Sequence, residues 1–166
     1  MGLSASKRIE KSLLESTEFI TACNSVYEEC LNLSQHAFSG VRPYQLFDAS
    51  AKLHLKTSAV IPLVKNWVPS PPNRVQVDRA FKIVIERSDD SGKETLDLVE
   101  FRAFAVELFK EEIVSNARKA ILVRVPIGIA GIGGVGMATR SGKDLVGTVM
   151  GVYALGVVTA IYLSFV

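Results

Sequence analysis

The chain has 166 residues, 48% of them hydrophobic, and its 19 Lys and Arg against 17 Asp and Glu leave a formal net charge of +2. That near balance, with no basic stripe and no platform of base-stacking aromatics, excludes nucleic acid as a partner. The length suits one ordinary domain, yet residues 119–166 carry charge only at Lys119, Arg124, Arg140, Lys143 and Asp144, a composition of membrane material and not of a globular core.

In chain order, "MGLSASK" fits an N-myristoylation signal, with Gly2 exposed once Met1 is removed and Ser6 at the hydroxyl position. Residues 1–15 are read as an N-terminal arm or short helix. One acyl chain holds a protein to a membrane only marginally, so a second anchor is expected. Because the acyl group is added in the cytosol, the soluble head is placed on that side.

Residues 16–67 are read as a helical subdomain. Apolar positions Phe19, Ala22, Cys23, Val26, Cys30, Leu33 and Ala37 recur at three or four, which predicts a helix over 16–37 capped by Ser16. On one helix Cys23 and Cys30 stand about 10 Å apart, too far for a disulfide, so both are expected to be reduced core thiols. Gly40 and Pro43 interrupt the pattern; "DASAKLHLKTSAVIPLVKNW" then offers one or two short helices divided near Pro62, with Trp67 as a core anchor. "VPSPPN", residues 68–73, is a stiff linker and a candidate boundary.

Residues 74–118 form the next unit. Asn73 and Gln76 have the spacing of a capping box, so a helix should start at Arg74 and bury Val77, Ala80, Phe81 and Val84. After a polar loop, Phe101, Phe104, Ala105 and Leu108 repeat that spacing in a helix reaching Arg118.

The pattern "AFKIVIERSDDSGKETLDLVEF" joining these helices resembles the EF-hand family over residues 74–109: Ala80 and Phe81 match the entering helix, Leu96 the apolar mid-loop position, and Glu100 with Phe101 the closing pair. The resemblance implies a calcium site, because a hard ion wanting six to eight oxygens is served by a 12-residue loop with a bidentate Glu at its end. Counted back from Glu100, the implied ligands are Asp89, Ser91, Asp97 and Glu100 side chains and the Thr95 carbonyl. Lys93 then stands where a ligand belongs, and Glu94 where glycine makes the turn. Counting from Gly92 instead puts Arg87 first and Leu98 last, whereas a loop two residues longer, Arg87 to Glu100, keeps both Gly92 and Glu100. A second acidic loop is missing from the sequence, since "DASAKLHL" lacks a closing carboxylate, but a degenerate partner stays open. The expected fold is all-α: an EF-hand-like helix-loop-helix in a compact soluble unit of four to six helices.

Residues 119–166 form the membrane region. "LVGTVMGVYALGVVTAIYLSFV", 145–166, has 22 uncharged residues, about 33 Å of helix and enough for a span; its Gly147 and Gly151 step would let another helix approach closely. Residues 120–139 are a weaker candidate, interrupted by Pro126, rich in glycine and carrying Arg124 near the start. Small residues favour a packed hairpin, whereas Arg140 and Lys143, which prefer the cytosolic side, favour a single tail span.

Gly131, Gly133 and Gly136 satisfy G-x-G-x-x-G, but an acidic residue about 20 positions on and further strands are missing; Met137 and Asp144 likewise spoil a phosphate loop around "SGKD". Nucleotide binding is therefore not expected. His36 and His54 stand outside any metal or catalytic motif, and Glu28, Glu29, Glu111 and Glu112 are read as solvated charges, so no catalytic constellation emerges. The functional expectation is a non-enzymatic, membrane-anchored calcium sensor or adaptor with a protein partner; the alternative is a structural subunit or scaffold of a membrane complex whose hand does not bind calcium.

Overall fold

The computed structural model describes residues 2–88, 94–138 and 143–165, with side chains described for 5–88, 94–134 and 145–165. These residues form seven helices and a single two-residue β-bridge, distributed over two compact units, Met1–Val114 and Ser115–Val166.

In the first unit, α1 (Gly2–Glu15) buries Ala5, Ile9 and Leu13, one residue per turn of a single face. Ser16 separates it from α2 (Thr17–Leu33): its extended backbone ends one helix, and its hydroxyl accepts from the Phe19 N–H at 3.2 Å to start the next, the cap expected from sequence. Phe19, Ala22, Cys23, Val26, Tyr27 and Cys30 are buried along α2.

That helix is four residues shorter than the periodicity predicts, leaving Leu33 and Ala37 exposed. Gln35 and His36 adopt left-handed backbone, φ 50° and 54°, so that the His36 N–H reaches the Leu31 carbonyl and the Gln35 N–H that of Asn32. These bonds satisfy carbonyls that helix termination would orphan, and they stop the helix before its apolar pattern runs out.

Pro43, expected only to interrupt the pattern, opens α3 (Pro43–Val60) at its first turn, and Pro62 opens α4 (Pro62–Trp67) in the same way. A ring with no N–H to donate loses nothing there. The Pro-rich residues 68–73 lie within the first unit; the His54 Nε2–H donates to the Val68 carbonyl at 2.8 Å and holds the connector to α3. Asn73 and Gln76 form the expected capping box at the start of α5 (Arg74–Arg87), which buries Val77, Ala80 and Val84 and leaves Phe81 half-buried.

The next helix, α6 (Leu98–Ala138), does not end at Arg118 as the sequence suggests but continues through Pro126. Its first turns bury Phe101, Phe104, Ala105, Leu108, Phe109 and Ile113. Phe109 meets the Phe19 ring edge-on at 6.0 Å, and Phe101 meets Tyr27 at 5.7 Å, so α2 and α6 share the centre of the core. Fully burying one such ring contributes roughly 1.5–3 kcal/mol.

In the second unit, α6 from Ser115 onward packs against α7 (Lys143–Leu163). A Cβ on Gly128 would fall 2.0 Å from the Tyr153 ring, and one on Gly133 2.9 Å from the Met150 methyl. The close approach therefore uses α6 glycines. Gly147 and Gly151, the step expected to receive a helix, face open space.

Candidate functional site

The two helix-loop-helix pieces of the first unit, α2 to α3 and α5 to α6, meet loop to loop. Val41 and Leu96 exchange both backbone hydrogen bonds across an antiparallel bridge, at 2.9 and 2.8 Å, and both side chains are fully buried. The segment that meets Leu96 is thus the 34–42 connection, and not the 48–55 stretch, which lies in α3. The sequence signal for it was slight: a glycine and an apolar residue, Gly40 and Val41, without any acidic ligand series. Gly40 is required sterically, because a Cβ there would lie 2.3 Å from the Leu96 carbonyl oxygen.

Beside the bridge, Arg42 donates to the Glu94 carboxylate at 3.0 Å, and its guanidinium lies 4.2 Å from the centroid of the Phe38 ring. A second stitch runs from Gln45, which accepts from the Arg42 N–H at 3.0 Å and donates to the Cys30 carbonyl at 2.9 Å. The end of α2 and the start of α3 therefore each have one backbone group satisfied by Gln45.

Of the residues implied as calcium ligands, Asp89 and Ser91 lie outside the described residues, as does Lys93. Thr95 is half-buried at the bend before Leu96. Asp97 and Glu100 are joined reciprocally: the Glu100 N–H donates to Asp97 Oδ1 and the Asp97 N–H to Glu100 Oε2, each at 2.9 Å. This is a capping box, with Asp97 as the cap of α6 and Glu100 three residues on, and such a cap contributes about 0.5–2 kcal/mol. The closing carboxylate thus faces its own helix start. Among the described residues no three His, Cys, Asp or Glu side chains converge as metal ligands do. The described donors do not form a calcium cage, and Arg42 adds positive charge at Glu94 beside the loop.

Several charged groups elsewhere are committed to partners. Glu107 and Lys110, both 8% exposed, pair at 2.8 Å on the apolar side of α6; Arg87 reaches Glu107 at 3.0 Å and Glu10 reaches Lys110 at 3.3 Å. This network joins α1, α5 and α6. It escapes sequence reasoning, although Glu107 and Lys110 at i, i+3 interrupt an otherwise apolar face. Glu29, expected to be merely solvated, accepts from Lys56 at 2.6 Å and lies 3.5 Å from Lys52. The Lys56 hydrogen bond is the main reason its carboxyl titrates below the ordinary range. Glu111 pairs with Arg79 and Glu112 with Gln76. His36 Nε2 meets Asn32 Oδ1 at 3.0 Å, and His54 is used on the connector.

Burial pushes the Cys23 thiol up to about 12 and the Cys30 thiol up to about 11. Thiols with so little thiolate at neutral pH are packing groups, not nucleophiles.

The last feature is α7. Its residues Leu145–Leu163 are long and apolar enough to cross a bilayer, and Val152, Leu155 and Leu163 stand exposed on it. No family model matches the chain, and neither the curated proteins nor the solved structures hold a match to it.

Proposed function

We propose that the chain is a non-enzymatic, membrane-anchored structural subunit or scaffold, its head built on an EF-hand-like pair of helix-loop-helix units that does not use calcium as a switch. The observation that carries this reading is the reciprocal bond between Asp97 and Glu100. A cation taking the Glu100 carboxylate has to break its bond to the Asp97 N–H, which at about 0.5–1.5 kcal/mol lowers affinity by about 2- to 12-fold, in addition to the ligand charge lost where the sequence has Lys93. The EF-hand resemblance itself draws support from the Val41–Leu96 bridge, which ties two helix-loop-helix units at the apolar mid-loop position.

Anchoring rests on α7, with Gly2 acylation as the second attachment and the head in the cytosol. A protein partner belongs to this reading, and the exposed Tyr44, Phe47 and Leu55 of α3 are compatible with one.

The test is calcium titration of the full chain in detergent micelles, followed by heat of binding and thermal midpoint. Expected is no heat and no shift at millimolar Ca²⁺. A site of 10 µM affinity would instead add about 2.7 kcal/mol at 1 mM; such a gain, abolished by Glu100→Gln, establishes the sensor in place of the scaffold. Gly2→Ala is expected to leave the chain in the membrane pellet after alkaline wash, because α7 alone suffices as an anchor.

A further inference from the structure

We infer that the chain crosses the bilayer twice: residues 120–138 of α6 form a first membrane span, paired antiparallel with α7 and keyed by Tyr153 seated on Gly128. This rests on the membrane reading above and deepens it.

Three observations carry the inference. The first is surface chemistry. Beyond Lys119, the described side chains of α6 include one charge, Arg124, and Leu122, Val123 and Ile127 are 72%, 58% and 68% exposed. Residues 122, 123 and 127 cover roughly 140° of the helix circumference, a broad apolar face. On α7, Leu145, Val152 and Leu155 are 61–70% exposed. Two packed helices that remain apolar on their outer faces fit hydrocarbon as the covering medium.

The second is length and depth. Ala120–Ala138 spans about 28 Å of helix, close to the roughly 30 Å hydrocarbon thickness. Gly128 lies about 12 Å along α6 from Ala120, and Tyr153 lies about 15 Å along α7 from Leu163. The contact therefore sets both apolar stretches at one depth. Gly133 against Met150 continues the pairing in the antiparallel sense, since the α7 partner number falls as the α6 number rises.

The third is hydrogen bonding. Pro126 has no N–H to offer the preceding turn, and glycine-rich helix is poorly stable in water. In lipid, close packing against a neighbour compensates for both. The Tyr153 hydroxyl donates to the Arg124 carbonyl at 3.3 Å, which gives this polar group a partner where water is missing. Arg124 itself is about 6 Å from Ala120, within reach of the interface by extension of its long side chain. Basic residues alone argue for one span, because Arg140 and Lys143 fall between the two stretches; the packed glycines decide for two.

The test uses the full chain in sealed vesicles with an epitope appended after Val166. When protease cleaves the head, the epitope is expected to be digested with it, because two crossings return the C-terminus to the head's side. In a Cys23→Ala, Cys30→Ala background, the thiol of Ser141→Cys is expected to react with an impermeant maleimide only after permeabilisation. A protected epitope overturns the inference, as does labelling of that thiol in intact vesicles, which would mark a hairpin that never reaches the far side. Release of the whole chain by alkaline wash is a different failure: it removes the membrane reading on which the inference stands.

Discussion

Replacing Gly40 with alanine isolates the loop-to-loop bridge, because nothing else about that residue is special. Its φ is not positive, so a Cβ carries no torsional penalty. The obstacle is distance: the new methyl would lie 2.3 Å from the Leu96 carbonyl oxygen and 2.8 Å from its carbon. A carbon seldom approaches an oxygen closer than about 3.3 Å, so the two loops must part by about 1 Å. The same movement stretches the Val41 to Leu96 hydrogen bonds, now 2.9 and 2.8 Å, beyond bonding range. Val41 and Leu96 are fully buried, which keeps water from replacing what is lost. With about 1–3 kcal/mol for each stranded group, offset by partial relaxation, the expected destabilisation is about 2–4 kcal/mol. For a unit of this size that corresponds to a fall in Tm of roughly 10–20 °C. The assay is denaturant unfolding of the full chain in micelles, followed by Trp67 fluorescence, with Ser39→Ala as an exposed control expected within about 0.5 kcal/mol of the parent. If Gly40→Ala also stayed within that margin, the bridge would not be what holds the two loops together.

Other outcomes follow from the same packing. Gln35→Gly removes an L side chain from left-handed backbone at φ 50° and should stabilise the head by about 0.5–1 kcal/mol, read as a higher denaturant midpoint. Glu107→Ala strands Lys110 with only Glu10 at 3.3 Å and should cost about 3 kcal/mol; adding Lys110→Met should recover much of that loss, because a neutral side chain needs no counter-charge. Cys23 and Cys30 should resist thiol reagents at pH 8 until the head unfolds, since thiols at about 12 and about 11 are ionised there to about one part in ten thousand and about one part in a thousand. Both folded pKa values lie above the unfolded value, so the neutral thiols contribute stability in full below about pH 9 and lose it progressively as pH rises toward 11 and 12. Faster unfolding at neutral pH than at pH 10 would contradict that sign.

The sequence by itself determined the features that depend on a few adjacent residues. Ser16 and the Asn73, Gln76 pair place helix starts because a cap needs only a side-chain oxygen two or three residues from an amide. The apolar spacing from Phe101 to Leu108 identifies a buried face because helical geometry is local, and the uncharged run of α7 is legible as a helix long and apolar enough to cross a bilayer for the same reason. Tertiary structure decided the rest. Whether α2 stops at Leu33 turns on a chain reversal through Gln35 and His36. The partner of the acidic loop is set by the approach of Gly40 to a carbonyl 56 residues away, which no local pattern records. Asp97 and Glu100 read equally well as metal ligands or as a helix cap, since both uses ask for carboxylates at that spacing; the difference is only where the oxygens point. Likewise, five glycines in α6 and three in α7 offer many close approaches in principle. It is the bulk of Tyr153 and Met150 opposite Gly128 and Gly133 that selects one face, because steric fit between helices is a property of the pair and of neither sequence segment alone.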